Sequence, residues 1–162
     1  MTALAKVLLV DDEQEFVVAL TKRLTKRNYS VIFAYSGKDA LAQLEGDKDI
    51  EVVLLDSKMP GLDGIETLKL IRKKWPLVEL IMLTGHSTLD SAINAIKMGA
   101  YDYLLKPIGI EQLVSTIEKA ACRKRHRDQL ILEVYMKSYP TRREQEEQIA
   151  QILDTEKKNG VA

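Results

Sequence analysis

Three carboxylates, one hydroxyl and one ammonium group stand directly after short apolar runs of this chain. These side chains are Asp11, Asp12, Asp56, Thr84 and Lys106. Carboxylates gathered in one place repel one another, and some would take up protons unless a cation lay between them. Mg²⁺ prefers oxygen ligands of this kind and is often shared with phosphate oxygens. If the side chains meet, Asp56 is suited to act as a nucleophile toward a phosphoryl group, with Lys106 neutralising charge and Thr84 donating a hydrogen bond.

Each of these residues taken alone has a simpler interpretation. An Asp that follows a strand is most often a turn or helix-cap residue, and the pair Asp11 and Asp12 would be a weak signal on its own. Metal-binding and phosphate-binding residue types at the ends of several predicted strands are harder to explain by capping. The combination therefore favours a shared chemical site.

The apolar runs alternate with amphipathic stretches, as expected for strands separated by helices. Strands are predicted at 6–10, 30–34, 52–55, 77–83 and 101–105, and helices at 14–27, 36–44, 65–74, 88–98 and from 110. Such alternation implies parallel strands with right-handed crossovers, and unbroken apolar runs imply a sheet covered on both faces. The predicted fold is a three-layer α/β/α domain over residues 3–122, in which polar groups at the strands' carboxyl ends share one edge.

Composition narrows the class of protein. The chain has 162 residues, enough for one domain and an extension, with 24 Lys and Arg against 24 Asp and Glu. This balance gives no overall attraction to nucleic acid or to an anionic membrane. A single cysteine, Cys122, excludes an intramolecular disulfide and fits a reducing compartment. Without a secretory signal or an apolar run long enough to cross a bilayer, the sequence predicts a soluble, cytoplasmic protein with no membrane partner.

Four segments of the sequence resemble the signature of the two-component response-regulator receiver family, of the chemotaxis-regulator and nitrogen-regulation type. They are 10–13 (VDDE), 55–64 (LDSKMPGLDG), Thr84-Gly85 and Lys106-Pro107, and the resemblance covers residues 5–120. It implies a flavodoxin-like receiver fold, with a five-stranded parallel sheet of order 2-1-3-4-5. It also implies a response regulator of a phosphorelay, which receives its phosphoryl group from a sensor histidine kinase and catalyses only its own phosphotransfer and autodephosphorylation.

The resemblance further assigns roles to individual residues. Asp56 is the expected phosphoacceptor, and Lys106 contacts the phosphoryl group. Asp12, Asp56 and the backbone carbonyl of Lys58 are the expected direct ligands of Mg²⁺, or of Mn²⁺ in its place. Asp11 acts on the metal through water.

A switch is implied as well. Thr84 and Tyr103 form the expected switch pair, which remodels the face of the fourth helix, fifth strand and fifth helix. The Lys106-Pro107 bond is expected to be cis, although only about 5–6% of such bonds are. Lys58 and His86 are placed at the rim of the phosphoryl pocket. Two alternatives stay open: Tyr103 as an ordinary half-buried strand aromatic, and Lys58 and His86 as merely exposed loop residues.

Residues 123–162 predict a helical extension that serves as a linker, a dimerisation element or a partner-binding element. A heptad-like stripe continues the fifth helix through Leu113, Ile117, Ala120, Lys124, Arg127, Ile131 and Val134. A solvated linker is the alternative, since charge runs are common on exposed helix faces. Thr141 and Glu144 have the spacing of a capping box, which predicts a further helix to about residue 157.

Two other functions compete with a switch that signals through protein–protein contact. A transcriptional regulator could act through the basic run 123–127 or through an absent output domain. Against this, the tail has no room for a helix-turn-helix, and the acidic side chains Glu144, Glu146 and Glu147 could pair with the basic run. A phosphatase resembling the haloacid-dehalogenase group would need a second Asp two residues after the nucleophile, where Lys58 stands. The sequence therefore favours the switch.

Overall fold

The structure is a computed structural model that describes residues 2–85, 88–137 and 141–159, of which 155–159 by backbone alone. Its strands are β1 (Lys6–Val10), β2 (Ser30–Ala34), β3 (Val52–Asp56), β4 (Glu79–Thr84) and β5 (Asp102–Leu105). Its helices are α1 (Gln14–Thr25), α2 (Gly37–Gly46), α3 (Gly64–Lys74), α4 (Leu89–Lys97), α5 (Ile110–Met136) and α6 (Arg142–Asn159). Most predicted bounds agree within one or two residues, the ordinary uncertainty of element ends.

The five strands form one parallel sheet of order β2-β1-β3-β4-β5. The predicted fold class and strand order are confirmed. Because every strand runs in the same direction, the residues that follow β1, β3, β4 and β5 lie along one edge of the sheet.

The core consists of two layers, one on each face of the sheet. Successive strand residues point to opposite faces, so Val7 and Leu9 enter one layer, whereas Leu8 and Val10 enter the other. The first layer is closed by α1 and α5, and the second by α2, α3 and α4. Every residue of β3 and β4 is buried, which explains the apolar runs 52–55 and 80–83 within them.

Local signals in the sequence account for several helix ends. Ser36 is the N-cap of α2 and accepts a hydrogen bond from the Asp39 amide at 3.1 Å, as predicted. Gly99 follows α4 with a φ of 105°, a left-handed conformation that suits glycine. Strand β4 begins at Glu79 rather than at the predicted residue 77. The Leu77 carbonyl instead accepts a hydrogen bond from the Arg127 guanidinium at 3.2 Å.

Helix α5 runs without interruption through the predicted domain boundary between residues 122 and 123. Because the helix shows no break at this point, it does not mark a domain boundary, and the division into residues 3–122 and 123–162 stays a prediction. Helix α6 opens with the predicted capping box, in which the Glu144 amide donates to Thr141 Oγ1 at 3.2 Å, and α6 contacts α5. Among the described residues, no helix combines the length and apolar composition needed to cross a bilayer.

Candidate functional site

The three predicted carboxylates meet at the carboxyl edge of the sheet. Asp11 and Asp12 follow β1, and Asp56 is the last residue of β3, the strand paired with β1. One oxygen from each carboxylate lies within 4.8 Å of the others. Asp11 and Asp56 are buried, at 1% and 6% exposure, and Asp12 is exposed. This donor set, with one face toward solvent, fits a hard divalent cation.

Lys106, directly after β5, extends into the same cluster. Its Nζ lies 2.5 Å from Asp11 Oδ2 and 3.8 Å from Glu13 Oε1. The Phe16 ring of α1 lies beneath it, with the ring centroid 4.1 Å from Nζ, a cation–π geometry. The Lys106-Pro107 bond is cis, as predicted. A positive charge is therefore held beside the three carboxylates.

The environment of Asp56 opposes ionisation of its carboxyl group. Burial, followed by the nearby Asp11 carboxylate, raises the pKa of Asp56 to about 6, and Asp12 adds to the effect. The Lys106 ammonium and a hydrogen bond from the Lys58 backbone amide act in the opposite direction. A cation bound among the carboxylates would favour the ionised form that a nucleophile requires.

Thr84 and Tyr103 lie on the neighbouring strands β4 and β5, and their role as a switch pair stays a prediction. Thr84 is buried, and its Oγ1 lies 2.6 Å from the hydroxyl oxygen of Ser57, the residue after Asp56. Tyr103 is half-buried, and its hydroxyl lies 3.3 Å from Ser91 Oγ in the first turn of α4. The sequence interpretation missed both serines, because nothing in their spacing indicates which hydroxyl they reach.

An open cavity of about 720 Å³ lies at the carboxyl edge of the sheet, between Ser57 and Tyr103. Its lining residues are Ser57, Lys58, Asp63, Ile65, Gly85, Thr88, Ser91, Tyr103, Leu105 and Lys106. The Lys58 side chain is exposed and lines this cavity. Its place at the rim of a phosphoryl pocket and its carbonyl as a metal ligand stay predictions. His86 lies outside the described residues. Lys106 therefore borders both this cavity and the carboxylate cluster.

The basic run of α5 is largely engaged within the fold. Arg123 Nη2 lies 2.6 Å from Glu79 Oε2, and Arg127 pairs with the other oxygen of the same carboxylate. Arg125 Nε lies 2.6 Å from Glu51 Oε2. Sequence reasoning placed Glu79 inside an apolar strand without assigning it a role. A charged residue within such a run was the available signal, because a buried charge needs a partner.

The acidic residues of α6 pair within their own helix. Arg142 Nε lies 2.9 Å from Glu146 Oε1, and Arg143 Nε lies 3.0 Å from Glu147 Oε1. These are pairs four residues apart, which face each other on a helix surface. The Glu144 carboxylate accepts from Thr141. The suggested pairing of these carboxylates with the basic run is therefore wrong for the contacts described.

Comparisons with known proteins agree with this geometry. Residues 7–118 match the family model described as the response regulator receiver domain. The chain is 40% identical over 119 residues to the transcriptional regulatory protein ZraR of Salmonella typhimurium, covering 74% of this chain and 27% of ZraR. It spans about a quarter of the length of the curated relatives it matches.

Solved structures show the same fold. A response regulator receiver domain protein from Clostridium thermocellum is 38% identical, with a TM-score of 0.71 over 75% of this chain and 97% of that one. The beryllofluoride-activated NtrC4 receiver domain dimer is 33% identical, with a TM-score of 0.69 over 74% of this chain and 98% of that one.

Proposed function

This chain belongs to the response regulator receiver domain family, and we propose that it is a phosphorylation switch whose phosphoacceptor is Asp56. One observation carries the proposal: Asp11, Asp12 and Asp56 converge within 4.8 Å beside the Lys106 ammonium. Mg²⁺, or Mn²⁺ in its place, would be held by Asp12, Asp56 and the Lys58 carbonyl, with Asp11 acting through water.

The reaction is a transfer between a phosphohistidine and a carboxylate. An Asp56 oxygen attacks phosphorus, the bond from phosphorus to the histidine nitrogen breaks, and that nitrogen keeps the electron pair. When bound, the metal neutralises charge on the phosphoryl oxygens. Lys106 holds a further positive charge at the same oxygens, and Thr84 donates a hydrogen bond to one of them. The chain catalyses only this transfer and the later hydrolysis of the aspartyl phosphate, in which water takes the phosphoryl group and the Asp56 carboxylate is released.

The proposed output surface comprises α4, β5 and α5. Three apolar side chains on α4 and β5 are unusually exposed: Leu89 at 77%, Ile93 at 43% and Leu105 at 54%. A phosphoryl group adds about −1.5 to −2 charge beside Thr84. Movement of Thr84 toward this group would let Tyr103 turn inward and rearrange the surface for a partner protein or a second copy of the chain. The continuation of α5 into the C-terminal extension is the other proposed dimer contact.

A second candidate, a transcriptional regulator, is suggested by the similarity to the transcriptional regulatory protein ZraR. The ion pairs of Arg123, Arg125 and Arg127 leave little of the basic run for phosphate contacts. This function would then need an output domain beyond residues 3–122. Salt-dependent retardation of DNA by this chain would favour action through the tail instead.

The phosphoacceptor is tested by the intact mass of the protein after incubation with acetyl phosphate and Mg²⁺. The wild type should gain one phosphoryl group, and Asp56→Asn should gain none. Asp49→Asn, a matched change at an exposed aspartate away from the site, should react like the wild type. Equal incorporation by Asp56→Asn and the wild type would contradict the proposal.

A further inference from the structure

The hydroxyl groups of Ser57 and Thr84 form a short hydrogen bond beside the proposed acceptor. Their oxygens are 2.6 Å apart. Ser57 follows the last residue of β3, and Thr84 ends the neighbouring strand β4, so the bond joins two central strands where the site lies. Thr84 is 1% exposed, whereas Ser57 is half-buried and lines the site cavity.

This bond competes with the role proposed for Thr84. Either hydroxyl can be the donor in this bond. Where Thr84 donates, its single hydrogen is not available to a phosphoryl oxygen on Asp56; where Ser57 donates, the movement of Thr84 toward that oxygen, proposed above, lengthens the bond. In both cases the 2.6 Å contact belongs to the unphosphorylated arrangement.

We propose that Ser57 is a positioning residue, which restrains Thr84 in the resting arrangement and so sets how readily the switch responds. This inference rests on the proposed function. A contact made only in the resting state lowers the apparent affinity of any ligand that selects the other state. The net contribution of one neutral hydrogen bond corresponds to a shift of about twofold to tenfold.

A different role for Ser57 predicts the opposite sign. If its hydroxyl bound the phosphoryl group or the metal, removing it would weaken binding at the site. If it restrains Thr84, removing it should strengthen binding. The sign of the change therefore separates the two roles.

The probe is beryllofluoride with Mg²⁺, a mimic of an aspartyl phosphate. Its apparent dissociation constant is measured by NMR titration for the wild type, Ser57→Ala and Ser57→Thr. Ser57→Ala should bind about two to ten times more tightly than the wild type, and Ser57→Thr, which keeps a hydroxyl, should lie close to the wild type. Thr25→Ala, at an exposed threonine at the end of α1, should have no effect.

A double-mutant cycle tests whether the effect passes through Thr84. In a Thr84→Ala background, Ser57→Ala should no longer tighten binding, because the partner hydroxyl is gone. Equal or weaker binding by Ser57→Ala in the wild-type background would overturn the inference, as would an undiminished effect in the Thr84→Ala background.

A measurement without ligand separates this inference from the proposed function. The Thr84 methyl resonance of unliganded Ser57→Ala should shift relative to the wild type, and an unchanged resonance would overturn the restraint. Failure of the wild type to bind beryllofluoride would count against the phosphoacceptor and hence against the switch that Ser57 is inferred to tune. A Thr84 shift without beryllofluoride binding would show that the restraint exists but serves no phosphoryl switch.

Discussion

At the scale of single residues, Asp56 is held in a site that penalises its charge. Burial and the Asp11 carboxylate raise the pKa of its carboxyl from 3.8 to about 6. An acid whose pKa is raised by folding is protonated in both the folded and the unfolded chain at low pH, where it costs the folded state nothing. Above the raised pKa it is ionised in both states, and only the folded state bears the cost of the buried charge. Stability is therefore lost as pH rises through the window from about 4 to 6.

The expected consequence is a pH-dependent difference between the wild type and Asp56→Asn in metal-free buffer. Near pH 4 their free energies of unfolding should be similar, whereas at pH 8 the variant should be more stable by about 1–2 kcal/mol, since solvent screens part of the penalty. Urea unfolding in EDTA at several pH values measures this difference. Mg²⁺ should then stabilise the wild type more than Asp56→Asn, and parallel pH curves would contradict the assignment.

The residue types of this site were readable from the sequence, but several contacts were not. Asp11, Asp12, Asp56 and Lys106 follow strands of one parallel sheet, and strand direction alone brings them to one edge. The contacts of Ser57 and of Phe16 depend on side-chain rotamers and on the angle at which α1 packs. A single sequence carries no direct signal for either.

At the scale of elements, β4 joins two charged regions at opposite ends. Thr84 stands at its carboxyl end, in the site, and Glu79 stands at its amino end, fully buried against the arginines of α5. Burial lowers the pKa of the neighbouring Arg72 to about 10, and the Glu79 charge opposes this shift. One carboxylate thus compensates the buried Arg127 and the half-buried Arg123 and fixes α5 to the strand.

Replacing Glu79 by Gln should destabilise the protein strongly. The variant keeps the size of the side chain but leaves Arg123 and Arg127 without their Glu79 charge, and breaking a buried pair in this way costs about 3–5 kcal/mol. Glu45→Gln is the matched control, because its pair with Lys74 at 2.6 Å is exposed and exposed pairs contribute little to stability. The urea unfolding midpoints of the two variants are compared with that of the wild type. If Glu79→Gln lowers the midpoint no more than Glu45→Gln does, the buried cluster adds no more stability than an exposed pair.

Strands and helices were predictable where an apolar pattern is followed directly by polar residues that end it. The runs that became β1 and β2 end at the predicted residues, because apolar runs and the polar residues after them mark strands clearly. The start of β4 and the anchoring of α5 depended on a long-range ion pair. The side chains of Glu79 and Arg127 lie far apart along the chain, so local periodicity could not reveal their contact.

At the scale of the whole molecule, the heptad-like stripe of α5 faces inward. Leu113, Ile117 and Ala120 belong to the core, and farther along the helix Arg127 and Val134 are also buried. The stripe was interpreted as a dimer seam or a solvated linker. The buried members of the stripe pack within one molecule, and α6 contacts the same helix, whereas dimerisation through the extension stays a prediction.

Removing α6 should therefore change how the molecule associates. A chain ending at Lys137 would uncover the α5 surface that α6 contacts, next to the apolar side chains Leu132, Tyr135 and Met136, which are already exposed. The receiver should still fold, because the Clostridium thermocellum relative corresponds to only 75% of this chain. Contiguous apolar area on a helix end drives pairing with a second copy.

The expected outcome is a concentration-dependent dimer for the shortened chain and a lower degree of association for the full chain. Size-exclusion chromatography with light scattering measures both. Val134→Glu in the shortened chain should restore the monomer, since it places a charge among the apolar side chains at the end of α5. Arg142→Ala in the full chain should leave its association unchanged, because that side chain is exposed on α6. If the shortened chain stays monomeric at every concentration, α6 does not cover an association surface, and the stripe serves only to pack α5 against its own domain.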